Sequence, residues 1–113
     1  MTVTIYHNPR CSKSRETLAL LQSRGVAPRI VEYLKTPPDK AELKRLLKLL
    51  GMTPRQLLRA KEAREAGLDR LDLSDDALIA GMVAHPAVIE RPIVVKGERA
   101  ALGRPPEAVL KIL

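Results

Sequence analysis

The stretch Thr2-Val3-Thr4-Ile5-Tyr6, continued by His7-Asn8-Pro9-Arg10-Cys11-Ser12-Lys13-Ser14-Arg15, decides how the rest of the chain is read. Thr2–Tyr6 alternates and reads as a short strand. The segment from His7 onward reads as a helix entry. Asn8 can cap it with Pro9 as the first helical residue, or the helix can start nearer Ser12. In both cases Cys11, the only cysteine, falls in or beside the first turn. A thiol does its chemistry as thiolate, and helix N-termini and nearby cations favour that form. A solitary cysteine is commonly just a small buried apolar side chain. Here Arg10, Lys13 and Arg15 give it a cationic setting, which argues for a reactive nucleophile.

Working outward, Leu18 and Leu21 mark the inner face of helix one, and Gly25 stops it. Pro28-Arg29-Ile30-Val31-Glu32-Tyr33 reads as strand two. Thr36-Pro37-Pro38-Asp39 reads as a helix entry, with a cap, a proline at the first position and an acid in the first turn. Leu43, Leu46, Leu47 and Leu50 recur with helical spacing up to Gly51. Thr53-Pro54-Arg55-Gln56 is a capping box that predicts a third helix, with Leu57 and Leu58 buried and Arg59 next in line. Ser74-Asp75-Asp76 predicts a cap for a fourth helix carrying Leu78, Ile79, Met82 and Val83, ended by His85-Pro86. Pro92–Val95 reads as strand three, Lys96-Gly97-Glu98 as a turn and Arg99–Leu102 as a returning strand. Gly103-Arg104-Pro105-Pro106-Glu107 opens a last helix with Val109, Leu110 and Leu113 inside. The opening β-α-β implies a parallel pair with a right-handed crossover. The hairpin adds an antiparallel strand, so the sheet is mixed.

The composition fits one soluble domain. The chain has 113 residues, a net charge of +7 and no Trp or Phe. That length suffices for a single core. No apolar run is long enough for a membrane span, and the start lacks the residue order of a signal peptide. One cysteine cannot close an internal disulfide, and a working free thiol suits the cytoplasm. The positive charge points to an anionic partner or to solvated faces. With only Tyr6 and Tyr33 as aromatics, there is no stacking platform for single-stranded nucleic acid. Nucleic acid is therefore disfavoured. One Cys and two His at unrelated positions make no metal site. There is no phosphate-binding glycine loop.

The β-α-β…β-β-α order with a cysteine after strand one is the thioredoxin/glutaredoxin plan. Narrower motifs stand on it in order: His7-Asn8-Pro9-x-Cys11-x-x-Ser14-Arg15-x-Thr17-Leu18, Tyr33-Leu34-x-Thr36-Pro37-Pro38, Leu57-Leu58-Arg59, Glu90-Arg91-Pro92-Ile93-Val94-Val95 and Gly103-Arg104-Pro105. Through these the chain resembles the glutaredoxin-dependent arsenate reductase family, and its length matches the short branch. The resemblance implies an α/β fold: a thioredoxin/glutaredoxin-like, mixed four-stranded sheet. Residues 1–113 would form a single domain with a helical insertion at about 36–86. It implies that Cys11 attacks the arsenic of arsenate, and that Arg59, Arg91 and Arg104 hold the oxyanion. His7 and Ser14 would support the thiolate, and Pro92 would be the cis-proline facing the cysteine. No cofactor stays bound. Glutathione is the co-substrate, and glutaredoxin clears the mixed disulfide.

The chemistry is coherent in its own terms. Planar bidentate donors suit an arsenate oxyanion, and Arg supplies them where Lys does not. A helix N-terminus adds backbone N–H groups. A chain with one cysteine has no resolving thiol, so electrons must come from a soluble one. Other chemistries lack their residues. In a C-x5-R oxyanion loop Arg would stand after five intervening residues; Thr17 stands there. A dithiol C-x-x-C motif needs Cys where Ser14 stands. Two alternatives stay open: a thiol-based regulator on the same fold that contacts RNA polymerase, and a glutathione-linked reductase of another substrate.

Overall fold

In the computed structural model, which describes residues 2–113, β1 spans Val3–His7 and is the second strand of a four-stranded sheet. Helix α1 (Ser12–Ser23) returns the chain to β2 (Arg29–Glu32). The chain then runs through α2 (Lys40–Leu50), α3 (Ala60–Glu65) and α4 (Asp75–Ala84) before β3 (Ile93–Lys96) and β4 (Arg99–Leu102). A 3-10 segment, Pro106–Ile112, closes it. The sheet order is β2-β1-β3-β4. β2 is parallel to β1 and the other two neighbours are antiparallel. The fold is thus the mixed α/β sheet expected, with its parallel pair and its hairpin.

The chain divides into two units. One comprises residues 1–36 and 91–113; the other is Pro37–Glu90, which interrupts it in sequence. In the sheet unit, Val3, Ile5 and Val94 from the strands pack with Leu21 of α1 and with Val109 and Ile112 of the closing segment. Leu18 is only half-buried. The residues of α1 that are fully buried besides Leu21 are Ser14 and Thr17. The inner face of α1 is therefore small and polar near the site and apolar only further along.

In the helical unit, Leu43, Leu46 and Leu47 of α2 and Leu78, Ile79 and Met82 of α4 are buried, as are Leu57, Ala63, Val88 and Ile89. Several starts differ from the expected ones. Helix α2 is capped by Asp39, whose carboxylate accepts from the Glu42 N–H at 2.8 Å, and not by Thr36. Gly51 ends it with φ +66°, a conformation open to glycine at little cost. The Thr53/Gln56 capping box forms reciprocally, at 3.0 and 3.3 Å, but opens only the single 3-10 turn Arg55–Leu57. Leu57 is buried and Leu58 half-buried. The short helix α3 was not anticipated. Ser74 caps α4 as expected, accepting from the Ala77 N–H.

Register fixes where the loops go. Tyr6 at the end of β1 pairs with Ile93 at the start of β3, and Ile93 pairs with Leu102 at the end of β4. The segment after β1, the Arg91-Pro92 turn before β3 and the Gly103-Arg104 turn after β4 therefore leave the same end of the sheet.

Candidate active site

Cys11 lies at that end, as the residue that opens α1, in extended conformation with φ −92° and ψ 124°. The later of the two expected helix starts is thus the observed one. Asn8 does not cap α1. Its side chain accepts from the Arg10 N–H at 3.0 Å and closes a local turn. The Cys11 N–H in turn donates to the Asn8 carbonyl. This turn presents the half-buried Cys11 thiol at the first turn of the helix.

The Cys11 thiol is held below the ordinary thiol value. Burial is the largest single influence and pushes it up. The Ser14 N–H, the Arg91 guanidinium and the Lys13 N–H together outweigh it, since all three favour the charged sulfur. The cation that acts on the sulfur is therefore Arg91, distant in sequence, and not the side chains of the neighbours expected to do so. Lys13 pairs with Glu16 at 3.5 Å, and Arg15 donates to the Pro9 carbonyl at 3.0 Å.

His7 and Ser14 form a buried pair, with Nδ1 and Oγ 2.6 Å apart. The Ser14 hydroxyl oxygen also accepts from the Asn8 N–H at 3.0 Å. Burial lowers the His7 pKa, Glu32 beside it in the sheet raises it, and Arg15 lowers it again; the net direction is down. His7 is thus a neutral imidazole that braces Ser14, whose own amide serves the sulfur.

The peptide bond Arg91-Pro92 is cis, as is Arg104-Pro105. Arg104 is exposed and donates from Nη1 to the Arg91 carbonyl at 3.2 Å. Cys11, His7, Ser14, Arg91, Pro92 and Arg104 all belong to the sheet unit. Arg59 belongs to the helical unit, just before α3. There its N–H donates to the Val88 carbonyl at 2.7 Å, beside the Leu58–Ile89 bridge. Its guanidinium meets Glu62 at 2.7 Å and Glu90 at 3.9 Å. The sequence reading missed these two carboxylates; Glu62 at three residues past Arg59 was the available signal. Thr17 and Gly103, which enter the sequence reading only as motif positions, lie against each other, with Gly103 also against Pro92.

The site and sheet define a class: a single-cysteine thiol protein on a thioredoxin-like α/β sheet, with an arginine on the thiolate. Comparison with known proteins narrows it. The pattern of the ArsC family matches residues 6–112, and the chain belongs to that family. It is 56% identical over 114 residues to the Escherichia coli (strain K12) protein YfgD, described as uncharacterized, covering 98% of this chain and 96% of that one. It is 50% identical over 116 residues to a Haemophilus influenzae protein named arsenate reductase, with both chains fully covered. A solved structure named arsenate reductase from Vibrio cholerae superposes with a TM-score of 0.95 at 56% identity, covering 100% of this chain and 98% of that one.

Proposed function

We propose that this protein reduces arsenate to arsenite, with Cys11 as nucleophile and glutathione and glutaredoxin as electron donors. The observation that carries this reading is the convergence of the Arg91 guanidinium and the Ser14 and Lys13 amides on the sulfur of a chain that has no second thiol. The relatives named arsenate reductase supply the substrate. The Cys11 thiolate attacks arsenic, and one arsenate oxygen, protonated, leaves as water. A glutathione thiolate then attacks the arsenylated sulfur. The new bond is the Cys11–glutathione disulfide. The broken bond is S–As, whose electron pair stays on arsenic and makes it arsenite. Two sulfurs are oxidised by one electron each, and arsenic gains two. Glutaredoxin then removes glutathione from Cys11. The cytoplasm is the compartment that holds these thiols reduced.

In this reading Arg91 and Arg104 hold the oxyanion, each offering planar paired donors. The test is oxidation of NADPH coupled through glutathione reductase, glutaredoxin and glutathione. The expected result is consumption that requires arsenate and each thiol component and that disappears in Cys11→Ser. Consumption that persists in Cys11→Ser would overturn the assignment.

A further inference from the structure

Gly103 is buried between α1 and the Arg91-Pro92 turn. A Cβ at this position would lie 2.4 Å from Thr17 Oγ1, 2.7 Å from Pro92 Cγ and 3.0 Å from Thr17 Cγ2. None of these atoms is the free end of a flexible chain. Pro92 is a ring closed on the backbone, and Thr17 is β-branched and stiff. The Thr17 hydroxyl is also committed: it donates to the Lys13 carbonyl at 2.7 Å, in the turn whose amides face Cys11. Gly103 is tied to the other side too. Its N–H donates to the Pro92 carbonyl at 2.9 Å, and the next residue, Arg104, donates to the Arg91 carbonyl. Any group added at 103 must therefore part α1, which carries Cys11, from the turn that carries Arg91.

We propose that Gly103, with Thr17 opposite it, is a positioning residue: its missing side chain sets how closely the Arg91 guanidinium approaches the Cys11 sulfur. Gly103 touches no reacting atom and acts through Arg91. The φ at this position lies outside the left-handed region, so backbone freedom is not what selects glycine. Close approach is.

The inference rests on Cys11 as a working thiolate, but its readout needs no arsenate. The measurement is the rate of iodoacetamide alkylation of Cys11 against pH, with thermal melting alongside. Gly103→Ala is expected to move the thiolate midpoint upward, and to slow alkylation near neutral pH by about three- to tenfold, as half a unit to one unit of titration shift implies. In an Arg91→Gln background the same Gly103→Ala change is expected to move the midpoint no further, since the group it displaces is gone. Adding Thr17→Ala to Gly103→Ala removes both Thr17 atoms that the new methyl meets, and is expected to bring the midpoint part of the way back. Should Gly103→Ala fail to fold, Thr17→Val serves in its place. It puts a methyl where the hydroxyl faces Gly103 and loses the bond to Lys13, and its midpoint should rise. A lowered melting temperature with an unmoved midpoint would reduce Gly103 to a packing residue. An equal shift with and without Arg91 would overturn the route through Arg91. A failed arsenate assay with these shifts intact would count against the substrate and leave the positioning role standing.

Discussion

Cys11 is a poor thiolate by burial and a good one by company. The company comes from the first turn of α1 and from Arg91. Its alkylation midpoint is therefore expected below the free-thiol value of about 8.5, and a midpoint at or above that value would contradict the account. Arg91→Lys keeps the charge and loses the paired donors. A charge-assisted hydrogen bond contributes roughly 1.5–3 kcal/mol, or about ten- to a hundredfold in kcat/KM. That fall, with little change in melting temperature, is the expected result in the coupled assay; full activity would remove Arg91 from the site. His7 carries a prediction on stability. Its folded pKa lies below its unfolded one, so the unfolded chain binds the extra proton first as pH falls. The contribution of neutral His7 is complete above the unfolded value of about 6.5 and is lost as pH drops from there through the folded value. Urea unfolding across that range should show a loss of stability that His7→Gln reduces.

At the scale of elements, caps decide where helices begin. Asp39 and Ser74 each accept an amide of the first turn, at 2.8 and 3.1 Å. Asp39→Ala should cost about 0.5–2 kcal/mol in urea unfolding. Thr36→Ala should cost less, because Thr36 does not cap α2. Ser74 was legible because it stands directly before an apolar helical pattern. Asp39 was misread because Pro37 mimics a first helical residue, although a side chain two residues later makes the bond. Strand β1 was legible from alternation, and β3 and β4 as two short runs on either side of the turn at Gly97. Helix α3 was not, because a helix of Ala60–Glu65 with only Ala63 buried carries no apolar stripe. The site face of α1 was hidden for the same reason. Its buried residues, Ser14 and Thr17, look like surface residues in a sequence, while Leu18, which looks like core, is half-buried. Cys11, Arg91 and Pro92 could be named from the motifs that carry the family resemblance. That Arg91, and not Arg10 or Arg15, serves the thiolate depends on the register of β1 against β3, which no local pattern encodes.

Across the whole molecule, charge and chemistry share one unit. Residues 1–36 and 91–113 hold eleven of the twenty basic side chains and four of the thirteen acidic ones, while Pro37–Glu90 holds nine of each. The net charge of +7 is thus that of the Cys11 unit. Such a field attracts dianions and is screened beyond about 8–10 Å at physiological salt. Stabilisation of the melting temperature by arsenate, phosphate or sulfate should therefore weaken as sodium chloride is raised, at fixed oxyanion concentration. Stabilisation that ignores salt would place the anion outside this field. The central claim of the proposed chemistry is that Cys11 attacks arsenate and is then released from arsenic by a glutathione thiol. Intact mass measurement of the protein, incubated with arsenate and glutathione but without glutaredoxin, tests it most directly. The expected result is a mass gain of one glutathione on Cys11 that requires arsenate, is removed by glutaredoxin and is absent from Cys11→Ser. Glutathione addition at the same rate without arsenate, or none at all, would contradict it.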